Sequence, residues 1–207
     1  FKENSKDTHV IKLGSFGAYA PTGLKIPEND IIIQSDTGNS SNTVPYPKFA
    51  TDFYHITKAN DSLFARAACK NWSLKITDVM QSTVFGCYNR YTAALNEPTR
   101  VDYDEIYGTV VNRFLIQAML GMKMSVYGDG KHSSGIMVLE DSINVLCALR
   151  NEKKIKGEYT PINNNPRSYT IIELANIVKS VLSKKGINAE VSINEFDPRH
   201  EKISKGN

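Results

Sequence analysis

The chain has 207 residues, 41% of them hydrophobic and 23% charged, with a formal net charge of +3. This is globular composition, long enough to bury a core, and it excludes a disordered, collagen-like or coiled-coil chain. The small positive excess gathers in no Lys/Arg cluster, and no apolar run reaches the roughly 18 residues of a membrane-spanning helix, so neither nucleic acid nor a membrane is an expected partner.

The three cysteines, Cys69, Cys87 and Cys147, are odd in number and form no CxxC pair. A disulfide framework or a zinc site is not expected, nor any other metal, and a reducing, cytoplasmic compartment fits.

Strand-like and helix-like runs alternate, which predicts an α/β protein. Residues 9–13 read as a buried parallel strand opening at Gly14-Ser15. Residues 18–47 read as a long loop rich in Pro, Gly, Asn and Ser. Over 51–72 the spacing is helical, with Phe53, Ile56, Leu63 and Ala67 on the inward stripe and Thr51 or Asp52 as cap. Residues 74–85 read as a second buried strand, and 87–108 as irregular. A helix over 109–120 turns Val111, Phe114, Leu115 and Ala118 inward. A strand over 124–127 ends in the Gly128-Asp129-Gly130 turn. A helix over 139–150 and a strand over 158–162 follow. Thr170 with Glu173 makes a capping box ahead of an apolar face of Ile171, Leu174, Ala175, Val178 and Leu182. Residues 189–193 read as a last strand.

The chemistry begins with Tyr54-x-x-x-Lys58, four residues apart on one helical face. A tyrosine is a weak base at its free pKa of about 10. An ammonium beside it favours the phenolate, which can then take a proton from a sugar or alcohol hydroxyl. Alone the spacing is equally that of a surface tyrosine on a lysine stem. Ser15 adds weight, because it ends a strand where α/β sheets place ligands, and its hydroxyl can donate to the same substrate oxygen.

Longer stretches extend the pattern: Val10-Ile-Lys-Leu-Gly-Ser-Phe-Gly-Ala-Tyr19, Pro45-Tyr-Pro-Lys48, Phe53-Tyr-His-Ile-Thr-Lys58, Lys75-Ile-Thr-Asp78 with Gln81, and Val84-Phe-Gly86. Then come Arg100-Val-Asp-Tyr-Asp104, Gly108-Thr109, Asn112-Arg-Phe114, Val126-Tyr-Gly128 and Asp197-Pro-Arg-His-Glu201. With these the chain resembles the extended short-chain dehydrogenase/reductases that act on nucleotide sugars, the NAD-dependent epimerase/dehydratase family. Within it the chain looks most like the UDP-sulfoquinovose synthases.

The resemblance implies a Rossmann-type parallel sheet, whose distal part would be residues 1–86, with residues 139–163 returning to it. A smaller sugar-nucleotide-binding α/β domain would take 87–138 and 164–207. It implies NAD as cofactor, a UDP-sugar substrate, sulfite or a sulfite donor as co-substrate, and a homodimer for the full-length protein. Ser15, Tyr54 and Lys58 would be catalytic, with Tyr54, Lys58 and Gln81 touching the cofactor. His55 would hold or protonate a substrate oxygen or orient an incoming anion; packing beside the helix is the alternative. Arg100, Thr109, Tyr127 and Arg199 would bind the substrate, with Arg199 on phosphate. Tyr127 as a core aromatic and Thr109 as a helix cap remain open, and His9, His132 and His200 read as structural or solvated.

The chain departs from the family pattern in places. Ala18 stands where the family has a glutamate, and Ser134 where it has a phosphate-binding arginine. No G-x-x-G-x-x-G turn for the NAD pyrophosphate occurs. The chain therefore reads as the carboxyl-terminal portion of a longer protein. The expected activity is formation of UDP-sulfoquinovose from UDP-glucose and sulfite. The alternatives are a sugar-nucleotide 4-epimerase or dehydratase, or a non-catalytic nucleotide-sugar-binding paralogue.

Overall fold

Asp52 starts the longest helix of the chain by accepting the His55 backbone N–H at 2.9 Å, and Ser73 ends it in the left-handed region at φ 55°. This is α1 (Phe53–Trp72) in a computed structural model that describes residues 7–19, 25–38, 40–50, 52–105 and 107–197. Ahead of it lie β1 (His9–Ser15), one turn of 3-10 helix (Phe16–Ala18), β2 (Ile31–Gln34) and β3 (Ser41–Val44). After it come β4 (Lys75–Gln81), β5 (Thr83–Phe85), α2 (Arg90–Leu95), α3 (Val110–Met119), β6 (Met124–Tyr127) and β7 (Ser133–Val138). The remainder is α4 (Leu139–Arg150), β8 (Tyr159–Asn164), β9 (Arg167–Thr170), α5 (Ile171–Ser183) and β10 (Val191–Asn194). The α/β class expected from the alternation is the class found. Among the described residues no helix is long and apolar enough to cross a membrane.

The chain divides into two compact units. The first comprises Phe1–Ser82 and Asn144–Asn165. Its sheet is parallel throughout, in the order β1-β4-β8. The central strand β4 is buried along five successive residues, Ile76 to Met80, as a strand covered on both faces must be.

α1 packs on this sheet through Ala59, Ser62, Ala65 and Cys69. The expected inward stripe is wrong: Phe53, Ile56, Leu63 and Ala67 are all exposed, Phe53 by 90%. Small side chains let the helix lie close to the strands, and large ones on that face would lift it off. The long segment before α1 is also more ordered than a loop. β2 and β3 form an antiparallel hairpin in it, closed by Gly38 at φ 70°. The Ile31-Ile-Ile33 run carried that signal, although Ile32 and Ile33 stay exposed.

The second unit comprises Thr83–Ile143 and Pro166–Asn207. It holds the parallel pair β10-β6 and the sheet β5-β7-β9. The strand expected over 74–85 is thus two strands in two sheets, parted at Ser82. Phe114, Met124, Val126 and Ala175 are fully buried, and Leu174, Val178 and Leu182 pack with them. The expected inner faces of α3 and α5 hold, with Leu115 and Ile171 only partly covered. The Thr170–Glu173 capping box is formed. α2 arises inside the stretch read as irregular. Asn89 and Thr92 cap each other there, and the helix buries no residue, so hydrophobic periodicity had nothing to report.

Candidate functional site

Parallel pairing puts Ser15 of β1 opposite Gln81 of β4, and Gln81 opposite Asn164 of β8. Three polar residues therefore end the three strands side by side at the carboxyl edge of the sheet. The Ser15 hydroxyl oxygen accepts the Gly17 N–H at 3.3 Å, which leaves its own proton to donate elsewhere. Gly14 has no room for a side chain, because a Cβ there would press on Asp78 Oδ1 and on Met80 Sδ at 2.7 Å.

The first turns of α1 lie along the same strand end. Lys58 Nζ donates to the Leu13 carbonyl oxygen at 3.4 Å and sits 5.7 Å from the centre of the Tyr54 ring. The His55 ring fills the space over Gly17. Its Nδ1 donates to Asp52 Oδ2 at 2.5 Å, and the same carboxylate is held below its ordinary range by the His55 backbone and side-chain hydrogen bonds. The Tyr54 ring packs edge-on to His55, 5.0 Å between centres, and is 59% exposed. Ser15, Gln81, Tyr54, His55 and Lys58 are thus brought to one edge of the first unit. Asp52 does more than the cap the sequence suggested: it also anchors His55.

Beneath this edge lies a buried polar cluster that the sequence did not single out. Asp78 is 0% exposed. Its Oδ1 pairs with Lys12 Nζ at 2.9 Å, and its Oδ2 accepts from Ser62 at 2.5 Å and from the Tyr159 hydroxyl at 2.7 Å. Lys48 in turn donates to the Tyr159 oxygen at 3.2 Å. Burial holds the Lys48 ammonium below its ordinary range, and Asp78 partly offsets that. Burial, then the Asp78 charge, pushes Tyr19 up to about 12 and Tyr159 well above its usual value. A charged residue inside the apolar run Ile76 to Met80 was the available signal.

In the second unit, Tyr127, Gly128, Asp129, Arg113 and Glu105 line a cavity of about 500 Å³, with His132, Glu195 and Asp197 on its walls. The Arg113 guanidinium lies 4.4 Å from the Tyr127 ring centre and donates to the Ser125 carbonyl at 3.0 Å. Burial raises the Tyr127 hydroxyl, and Arg113 works against that. Thr109 stands at the N-cap of α3 without making the cap bond, and its buried hydroxyl has no partner among the described residues. Arg100 is exposed and paired with Asp102 at 2.6 Å, and is not among the residues lining the cavity. Arg199 and His200 lie outside the described residues. Ala18 is fully buried beside Tyr19, Ala59 and Met80, and Ser134 stands in β7 opposite Tyr169. Sequence reasoning passed over Arg113 as a site residue, since a buried arginine in a helix is visible only once Tyr127 is packed on it.

No family model matches the chain. The chloroplastic UDP-sulfoquinovose synthase of Spinacia oleracea is 36% identical over 202 residues, covering 97% of this chain and 41% of that protein. The UDP-sulfoquinovose synthase of Sulfolobus acidocaldarius is 34% identical over 193 residues, covering 93% of this chain and 49% of that protein. The chain is similar to the UDP-sulfoquinovose synthases. It spans about half the length of these curated relatives or less. Among solved structures, the UDP-glucuronic acid 4-epimerase of Bacillus cereus in complex with UDP-glucuronic acid and NAD superposes with a TM-score of 0.61. It is 17% identical, over 95% of this chain and 52% of that one. That likeness is one of fold: the chain has the Rossmann-type architecture of the NAD-dependent epimerase/dehydratase structures over the part it covers.

Proposed function

We propose that this chain forms part of an NAD-dependent enzyme that modifies a UDP-hexose, making UDP-sulfoquinovose from UDP-glucose and sulfite. The single observation that carries the reading is the junction of α1 with the end of β1: Lys58 bound to the Leu13 carbonyl, two residues before Ser15 and one helical turn after Tyr54.

The residues at this edge fit a dinucleotide. Tyr54 is open to solvent, and Lys58 makes one long bond that leaves it donors to give. The buried side-chain atoms Ser82 Oγ and Asn164 Nδ2, at the same sheet edge, have no partner among the described residues. Lys58 and Gln81 would hold the nicotinamide end. When bound, NAD supplies a reversible hydride acceptor.

Tyr54 takes the proton of the sugar 4-hydroxyl as that carbon is oxidised. Lys58 stabilises the phenolate, and Ser15 donates to the developing 4-ketone oxygen. The ketone acidifies the C5 proton, so water leaves across C5 and C6; sulfite then adds at C6 as C5 regains a proton, and the hydride returns to C4 as Tyr54 gives its proton back to the 4-oxygen. The cavity of the second unit takes a uridine diphosphate group, with Tyr127 against the base, Thr109 and Arg113 beside it and Arg199 on phosphate. The cavity's carboxylates, Glu105, Asp129, Glu195 and Asp197, are poor company for a diphosphate, so the arginines would carry that recognition.

A protein of the relatives' full length that contains this chain, given NAD, UDP-glucose and sulfite, is expected to release a sulfonated UDP-hexose detectable by mass. A second reading rests on Ala18, an alanine in a closed apolar cluster where the family has a glutamate. Without that carboxylate the protein would act as a 4-epimerase, which oxidises and reduces C4 and never removes the C5 proton. UDP-galactose as product, with sulfite ignored, would decide for it.

A further inference from the structure

The Asp78 carboxylate is fully enclosed. Enclosing a charge costs several kcal/mol after relaxation, and an apolar side chain of similar volume would suit the interior of β4. The position instead carries a charge whose bonds to Lys12, Ser62 and Tyr159 reach three different elements. Oδ1 binds Lys12 of β1, its register partner, at 2.9 Å. Oδ1 also fills the space beside Gly14, which has no Cβ to displace it. Oδ2 accepts from Tyr159 of β8 at 2.7 Å and from Ser62 of α1 at 2.5 Å.

The Ser62 contact ties the carboxylate to the helix that bears Tyr54 and Lys58. Ser62 stands one turn after Lys58, and its hydroxyl also lies 3.1 Å from the Lys58 carbonyl oxygen. It is buried among Ala59, Ala65 and Cys69, where alanine would pack as well. One carboxylate thus holds the strand three residues before Ser15 and the helix four residues after Lys58. Other contacts of α1 with β1 and the turn after it include a 3.4 Å bond from Lys58 and the packing of His55 on Gly17. Neither fixes the sliding of the helix along the strand as firmly as two short bonds to a buried charge.

We propose that Asp78, acting through Ser62, is a positioning residue that sets the Tyr54–Lys58 turn of α1 in register with Ser15 at the end of β1. The inference rests on the hydride-transfer reading above. A displacement of the order of 1 Å in such an arrangement costs about 100-fold in rate.

The test uses a protein of the relatives' full length containing this chain. Asp78→Asn, Ser62→Ala and Tyr54→Phe are compared with the parent. The readouts are NADH formed in a single turnover with UDP-glucose, the steady-state kcat and KM, and the melting temperature. Asp78→Asn and Ser62→Ala are expected to lower kcat about 10- to 100-fold with KM for UDP-glucose within about twofold. Ser62→Ala removes one hydroxyl and is expected to melt close to the parent, so it carries the test if Asp78→Asn does not fold. A folded Ser62→Ala with parental kcat, or a loss confined to KM, overturns the inference while an inert Tyr54→Phe leaves the hydride reading standing. A parent that forms no NADH, or a Tyr54→Phe as active as the parent, overturns the hydride reading and this inference with it.

Discussion

The His55 ring occupies the volume that a side chain at Gly17 would need. The ring cannot swing clear, because its Nδ1 is tethered to Asp52 at 2.5 Å. Gly17→Ala must therefore either break the His55–Asp52 contact or push the start of α1 away from β1. The expected cost is about 1–3 kcal/mol, the usual penalty of overpacking, together with a fall in turnover. Denaturant unfolding beside a kcat measurement checks both, and an alanine variant with parental values would mean that the ring relaxes freely.

Removing the Tyr54 hydroxyl would take away the proposed proton acceptor and leave the ring that packs on His55. Tyr54→Phe is expected to lower kcat by about 100- to 10,000-fold with little change in UDP-sugar affinity. Stopped-flow NADH absorbance and a binding titration separate the two quantities. Weakened binding with unchanged chemistry would assign Tyr54 to substrate grip instead.

Arg113 backs one face of the Tyr127 ring, and the proposed uridine would stack on the other. Loss of a stacking partner costs about 1–3 kcal/mol, so Tyr127→Ala should weaken UDP by that amount in calorimetry. Gly130 in the turn that follows is constrained: it stands at φ 67°, and a Cβ there would meet Val126 at 2.8 Å. UDP affinity unaltered by Tyr127→Ala would make Tyr127 a core aromatic only.

Acid should destabilise the first unit through His9. Its Nε2 lies 2.8 Å from the Thr77 hydroxyl, and its buried Nδ1 has no partner among the described residues. Burial, followed by the Lys154 charge, lowers its pKa from 6.5. The unfolded chain therefore binds the proton more readily than the folded one. The stability contributed by neutral His9 is complete above pH 6.5 and is lost as pH falls from there through the lowered folded value. Melting temperatures followed downward through pH 6.5 are expected to drop, and His9→Phe is expected to flatten that dependence. A profile identical in both proteins would sink the assignment.

The parts of this site written in short-range spacing were legible before any fold was known. Tyr54 and Lys58 are four residues apart, Thr170 and Glu173 three, and β1 announces itself by its β-branched run and the Gly14-Ser15 break. Caps, helical faces and strand ends are set by neighbours a few positions away, so the amino-acid order alone determined that a Tyr/Lys helix follows a strand ending in serine. The order did not decide which side of α1 meets the sheet. Its large residues form one stripe and its small ones another, and hydrophobicity favours the first. Close approach to β1 and β4 admits only Ala59, Ser62, Ala65 and Cys69, and that becomes visible only when the sheet is present. Asp78 likewise looks like an oddity in a buried strand until Lys12, 66 positions away, and Tyr159, 81 positions away, come to its two oxygens. A buried charge is defined by partners that only chain folding delivers, whereas a cap or a helical pair carries its partner within the same turn.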